Sequence, residues 1–136
     1  MGIVKIEKFE DIKAWHEARE LTKSIYALTS KGNFDKDFRL KDQIRSAAAS
    51  IMANIAEGFD AQSDLEFIKF LIYSRRSASE VQSHLYVALD QAYLSEEYFR
   101  KLSDDIVKTK NLIYGFIRYL QKTNKGGKTS SLGLRT

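Results

Sequence analysis

The 136-residue chain has no cysteine and no proline. Without cysteine, disulfide frameworks, thiolate metal sites and cysteine nucleophiles are excluded, and the reducing cytoplasm is the expected setting. Without proline, nothing interrupts long helices. Apolar runs are short: none approaches the roughly 20 residues of a membrane-spanning helix, so no membrane partner is expected. The N-terminus, Met1-Gly2-Ile3-Val4-Lys5-Ile6-Glu7, has no signal-peptide apolar stretch. Ile6 stands where a myristoylation motif requires Ser or Thr. What the chain does have, 43% apolar and 29% charged residues, is the composition of a globular domain with a self-sufficient core. An all-helical domain is the leading class.

The formal charge of +4 is unevenly distributed. Residues 1–105 carry a net −3, whereas residues 106–136 hold Lys108, Lys110, Arg118, Lys122, Lys125, Lys128 and Arg135 with no acid, a net +7. Such asymmetry points to an anionic partner at the C-terminal end. Cations also suit a helix C-terminus and a solubilising tail, so that simpler reading stays open.

Four amphipathic segments follow one another with short connections. The first, about Phe9 to Ser30, sets Ile12, Trp15, Ala18, Leu21, Ile25 and Leu28 at three- and four-residue steps. Lys31 to Asp35 reads as a loop in which Gly32 and Asn33 suit left-handed conformations. The second, about Asp37 to Phe59, buries Leu40, Ile44, Ala47, Ala48, Ile51 and Ile55, with Gly58 as its expected stop. Ser63-Asp64-Leu65-Glu66 is a capping box opening a third helix to about Tyr93, roughly 46 Å long. Ser95 caps a fourth helix running to about Lys122. The segments divide the chain into an N-terminal arm (1–8), a helical domain (9–122) and a flexible basic tail (123–136).

Helices three and four carry seams with a 3.5-residue period. Phe67, Leu71, Ser74, Ala78, Val81, Leu85, Ala88 and Ala92 form one; Leu102, Ile106, Thr109, Ile113, Phe116 and Leu120 form the other. Such seams favour near-parallel axes crossing at about 20°. With short loops the economical arrangement is a left-handed, antiparallel up-down-up-down four-helix bundle.

Two faces exceed what a lone bundle needs. Ser46, Ala49, Ser50 and Ala53 lie about 120–180° from the apolar face of the second helix, where solvent-facing helices usually carry Lys and Glu. On the third helix Leu65, Ile68 and Ile72 form a second apolar stripe, extended by Arg75 and Tyr86. These seven small or apolar residues, Ser46 to Ala53 and Leu65 to Ile72, are the expected self-association surface. Asn54 and Glu57 flank the seam of the second helix one turn apart. A buried carboxylate there requires a cation, so a structural polar network of Arg45, Asn54 and Glu57 is expected rather than a catalytic pair.

Catalytic and metal motifs are missing. His16 is expected to pair with Glu20 and His84 with Glu80, each four residues apart, whereas the di-iron bundle signature needs Glu-x-x-His on two helices. No phosphate loop, His-Glu-x-x-His helix or nucleophile elbow occurs, so no cofactor is expected. Cations with interleaved aromatics are better represented: Arg75 and Arg76 beside Tyr73, Lys108 and Lys110 before Tyr114, and Arg118-Tyr119 leading to Lys122, Lys125 and Lys128. Such groups neutralise phosphates and stack on unpaired bases.

Several stretches are similar to a known family. Phe9-Glu10-Asp11-Ile12-Lys13-Ala14-Trp15 and Ile25-Tyr26-Ala27-Leu28-Thr29 resemble the opening of the four helix bundle protein family, also called the 23S rRNA intervening-sequence protein family. Leu40 through Gly58 (LKDQIRSAAASIMANIAEG), Glu66-Phe67-Ile68-Lys69-Phe70-Leu71 and Ser77-Ala78-Ser79-Glu80 extend the resemblance, which covers about residues 9–122. The resemblance implies a small four-helix bundle assembled as a homopentamer, without enzymatic activity. Some members are encoded within insertions in 23S rRNA genes. The family is also distantly similar to accessory proteins of diversity-generating retroelements, basic pentamers that bind a reverse transcriptase and nucleic acid. The first loop lacks the proline often found there, and the glycine-lysine tail is this chain's own.

The sequence thus predicts a non-enzymatic homopentameric bundle associated with RNA or single-stranded DNA, or scaffolding, through its basic C-terminal end. A nucleic-acid-processing protein is a further expected partner. The alternatives are a protein-binding adaptor docking an acidic partner, or an enzyme with a site in the bundle seam.

Overall fold

A computed structural model describes residues 6–124, and four helices account for most of them. A short 3-10 segment (Phe9–Asp11) precedes α1 (Lys13–Thr29), and a second (Gly32–Lys36) precedes α2 (Phe38–Phe59). Helix α3 spans Asp64–Asp90 and α4 spans Glu96–Asn124. No strand occurs among the described residues. Helices α1 and α3 each pack on both α2 and α4, so all four surround one core.

The buried positions are largely the periodic ones. Ile44, Ile51, Ile55, Phe67, Leu71, Leu85, Leu102, Ile106 and Ile113 are fully enclosed. Each contributes roughly 1.5–3 kcal/mol by leaving water. The two polar seam residues are satisfied: Ser74 Oγ donates across to the Ile51 carbonyl of α2 at 2.7 Å, and Thr109 Oγ1 to the Asp105 carbonyl of its own helix at 2.8 Å. Ile117 joins the α4 core at 5% exposure, while Phe116 is only half-buried.

Helix ends depart from expectation for local reasons. Helix α1 begins at Lys13, not Phe9, because the Asp11 carboxylate accepts the Glu7 N–H at 2.9 Å and the Lys8 N–H at 3.3 Å. That closes a separate turn and leaves Ile12 extended, its side chain in the core. The expected loop after α1 is a 3-10 segment: Gly32 is left-handed (φ +54°), Asn33 is not, and Phe34 plugs the core with its ring stacked 4.9 Å from Tyr93. Asp37 then caps α2 through the Leu40 N–H and also accepts the Tyr93 hydroxyl at 2.9 Å, tying two connections together.

Gly58 is not a helix stop. It lies inside α2, where a Cβ would sit 2.7 Å from Phe67 Cδ1 and 2.9 Å from Phe70 Cβ, so it permits the close approach of α3. Ser63 caps α3 through the Glu66 N–H, while the Glu66 carboxylate reaches the Gln62 N–H, one residue earlier than a capping box requires. Helix α3 stops at Asp90, short of Tyr93. Tyr93 N–H returns to the Ala88 carbonyl and Ala92 N–H to that of Leu89, which is a Schellman ending with Ala92 at φ 60°. Ala92 is therefore exposed and outside the seam. Helix α4 opens with Ser95 Oγ accepting the Tyr98 N–H and continues two residues past Lys122.

Candidate nucleic-acid interface

Three helix-helix grooves open on the surface, and they differ in charge. The α2–α3 groove, about 400 Å³, includes Asp42 and Glu80 among serine hydroxyls. The α1–α4 groove, about 230 Å³, gathers Glu17, Glu20 and Asp105, with Lys101 the only cation lining it. A third, about 790 Å³, lies between the first turns of α3 and the last turns of α4. It carries Arg118 and Lys122, and none of its described lining residues is acidic.

The basic residues singled out from the sequence divide among these surfaces. On a helix, positions two apart point about 160° apart. Lys108 accordingly reaches α1 and pairs with Glu17 at 3.3 Å, whereas Lys110 reaches α3 and donates to Gln82 Oε1 at 3.0 Å. Lys108 is thus flanked by carboxylates that weaken any local positive potential. Arg118 stands with its guanidinium 5.6 Å from the Tyr114 ring centre, and Arg75 of α3 approaches the same ring at 5.5 Å. That pairing draws two cations from different helices to one exposed aromatic. Arg76 is exposed on α3, next to the Arg75 position. Lys125 and Lys128 lie outside the described residues.

The residues of the expected self-association surface differ in exposure. Ser46 and Ala53 are exposed and Ala49 half-buried, so α2 presents small side chains to solvent between Asp42 and Glu57. Ser50 instead belongs to the α2–α3 contact, accepting hydrogen bonds from Ser77 Oγ and Asn54 Nδ2, each at 3.0 Å. On α3, Leu65 and Ile72 are 64% and 37% exposed, but Ile68 is only 8% exposed. Three positions on from Leu65, Ile68 is rotated back toward α4 and drops out of the exposed stripe, lining the α3–α4 groove instead. Among the described residues, eight of the ten exposed large hydrophobic side chains lie on α3 or α4.

The expected Arg45–Asn54–Glu57 network does not form. Nine positions separate Arg45 from Asn54, about half a turn round the helix, so they face different neighbours. Arg45 Nε donates to Thr29 Oγ1 at 2.7 Å, and Nη2 donates to Ser30 Oγ at 2.9 Å and the Tyr26 carbonyl at 3.3 Å. Its guanidinium also covers the Tyr26 ring at 4.3 Å, so it caps the end of α1. Asn54 donates to the Ser50 carbonyl and hydroxyl, and Glu57 is exposed.

The histidines are structural. His16 Nε2 lies 2.6 Å from the Glu10 carbonyl, which the N-terminal turn folds back toward it, and does not pair with Glu20. His84 meets Glu80 at 3.3 Å as expected. Among the described residues no three His, Asp or Glu side chains gather as a metal site, and no helix is long and apolar enough to cross a membrane.

Sequence reasoning overlooked Gly115, which lies on the exposed side of α4 and lines the basic groove. Its signal was available: a glycine inside an otherwise uninterrupted helical pattern calls for a packing or functional reason.

Residues 10–115 match the family described as 23S rRNA-intervening sequence protein. Among solved structures, the chain is similar to a protein of unknown function from the S23 ribosomal protein family of Bacteroides thetaiotaomicron, determined at 1.70 Å. The two are 26% identical with a TM-score of 0.70, over 76% of this chain and 97% of that one. Among curated proteins none matches. With most of its helical body matched, this chain belongs to the 23S rRNA-intervening sequence protein family.

Proposed function

We propose that the protein is a non-catalytic antiparallel four-helix bundle that assembles with copies of itself, as a homopentamer, and associates with RNA in the cytoplasm through its basic C-terminal end. The observation that carries the RNA reading is the convergence of Arg75, Tyr114, Arg118 and Lys122 beside one groove, on a stretch with no acidic residue from position 106 onward. The family description, which ties its members to 23S rRNA, agrees with it. The antiparallel arrangement is supported by paired contacts: Thr22 meets Ala48 while Thr29 meets Arg45, Ile51 meets Ser74 while Gly58 faces Phe67, and Tyr86 near the end of α3 meets Phe99 near the start of α4. Self-association is supported by the small uncharged strip of α2 and by Ile72 on α3. Five copies would multiply the positive field at one end of the ring.

Fluorescence anisotropy with a labelled single-stranded RNA at a series of salt concentrations tests this reading. Affinity falls as salt rises, with a slope of about −0.7 per phosphate contacted. Arg118→Glu with Lys122→Glu flattens that slope, while Lys23→Glu on α1 leaves it unchanged. Absence of salt-dependent RNA binding at about 50 mM salt sinks the reading. A protein-docking role for the basic end then replaces it.

A further inference from the structure

Among the described residues nothing explains Gly115. It sits in the middle of α4, where glycine is less favourable than alanine, yet an added Cβ would meet nothing within 4 Å. A glycine that relieves no internal crowding leaves room for something outside. Here that room is in the α3–α4 groove, about 790 Å³ and open to solvent.

The groove walls have a mixed chemistry. Leu65 and Ile68 give an apolar side from α3; Tyr119, nearly half exposed, gives an aromatic one from α4. Arg118 and Lys122 supply cations, and Arg118 is also steadied by the Tyr114 ring shared with Arg75. Gln121 adds an amide that can both donate and accept. The α2–α3 and α1–α4 grooves each carry at least two carboxylates, whereas the described lining of this one carries none, which matches it to a polyanion with flat apolar parts. Single-stranded RNA has that character, and a duplex, whose bases are already stacked, does not.

We infer that this groove seats an unpaired nucleotide of single-stranded RNA, its base over Gly115 against Tyr119 and the Leu65–Ile68 wall, and its phosphates on Arg118 and Lys122. The inference rests on the RNA reading above and adds where the strand sits and why glycine stands at position 115.

The test uses the full-length protein, a fluorescein-labelled oligo(U) strand and the same strand annealed to oligo(A). Gly115→Gln keeps a good helix former and every cation but fills the groove. It should weaken single-strand binding at least tenfold, leave duplex binding within about twofold, and leave helicity, salt slope and sedimentation unchanged. Tyr119→Ala should weaken single-strand binding by about 5- to 100-fold, the range of one lost base-stacking contact. Wild-type affinity in Gly115→Gln overturns the inference while the RNA reading stands. A changed oligomeric state in Gly115→Gln also overturns it, since the groove would then be a contact between subunits. If the wild-type protein itself fails to bind oligo(U) at about 50 mM salt, both readings fall together.

Discussion

Gly58 and Gly115 are both helical glycines, so replacing either by alanine raises helix propensity by about 0.8–1 kcal/mol. Their surroundings make the outcomes opposite. At Gly115 a Cβ meets open space, and the propensity gain is the whole effect. At Gly58 the new Cβ would lie 2.7 Å from Phe67 Cδ1, 3.0 Å from its Cε1 and 2.9 Å from Phe70 Cβ. The Phe67 ring has little freedom to turn aside, because it is fully buried and set edge-on to Phe59 at 6.4 Å and Phe116 at 5.2 Å. The Phe70 Cβ is fixed to the α3 backbone, so relief requires α2 and α3 to part by several tenths of an ångström. Overpacking of this kind costs about 1–3 kcal/mol. After the propensity gain, Gly58→Ala should be destabilising by up to about 2 kcal/mol. For a chain of this size a kcal/mol moves the melting temperature by about 4 °C. Thermal and urea unfolding at one fixed protomer concentration should therefore show Gly115→Ala melting about 3–4 °C above wild type and Gly58→Ala melting below it, by up to about 8 °C. Shifts of the same sign at both positions would refute the assignment of Gly58 to a close helix crossing.

Ala92→Gly should stabilise the fold by about 1 kcal/mol, because a Cβ at φ 60° is strained in the left-handed region; urea unfolding with an unchanged m-value checks it, and a loss of stability contradicts the Schellman ending. The hydrogen bond to Asp37 is the main cause that holds the Tyr93 phenol above its ordinary value of 10.0, so the unfolded chain loses that proton first as pH rises. The stability from this tie is then complete below pH 10 and declines as pH passes through the raised value. The gap in melting temperature between wild type and Tyr93→Phe should accordingly be open at pH 8 and narrow above pH 10; a gap constant across that range counts against the tie. Ala53→Glu places a charge on the exposed small-residue strip of α2, which costs several kcal/mol where a second subunit covers it. Sedimentation should show a helical but dissociated protein, and a mutant with the wild-type oligomer, or a wild type that is monomeric at micromolar concentration, rejects that face as the contact.

How much was legible depended on whether the signal was local. The seams of α3 and α4 were, because the side chains recurring at three- and four-residue steps are the ones the core takes in: Phe67, Leu71, Val81 and Leu85 on one, Leu102, Ile106 and Ile113 on the other. Phe34 was not, because a lone phenylalanine between Gly32 and Asp35 has no period to mark it, and only the meeting with Tyr93 makes it a core residue. The same holds for Arg45, whose partners Thr29, Ser30 and Tyr26 belong to another helix.

The sequence by itself determined that four helices form, which faces they bury and where negative charge stops along the chain, since helix period, capping and charge are properties of neighbouring residues. Tertiary structure alone decided which cations remain available. Lys108 and Lys110 are taken by α1 and α3, while Arg75 and Arg118 are brought from different helices to one tyrosine. It also decided that Gly58 admits a neighbouring helix while Gly115 opens a groove. Two glycines look alike in a sequence; what separates them is the distance to atoms on another helix, and that distance exists only after the helices have packed.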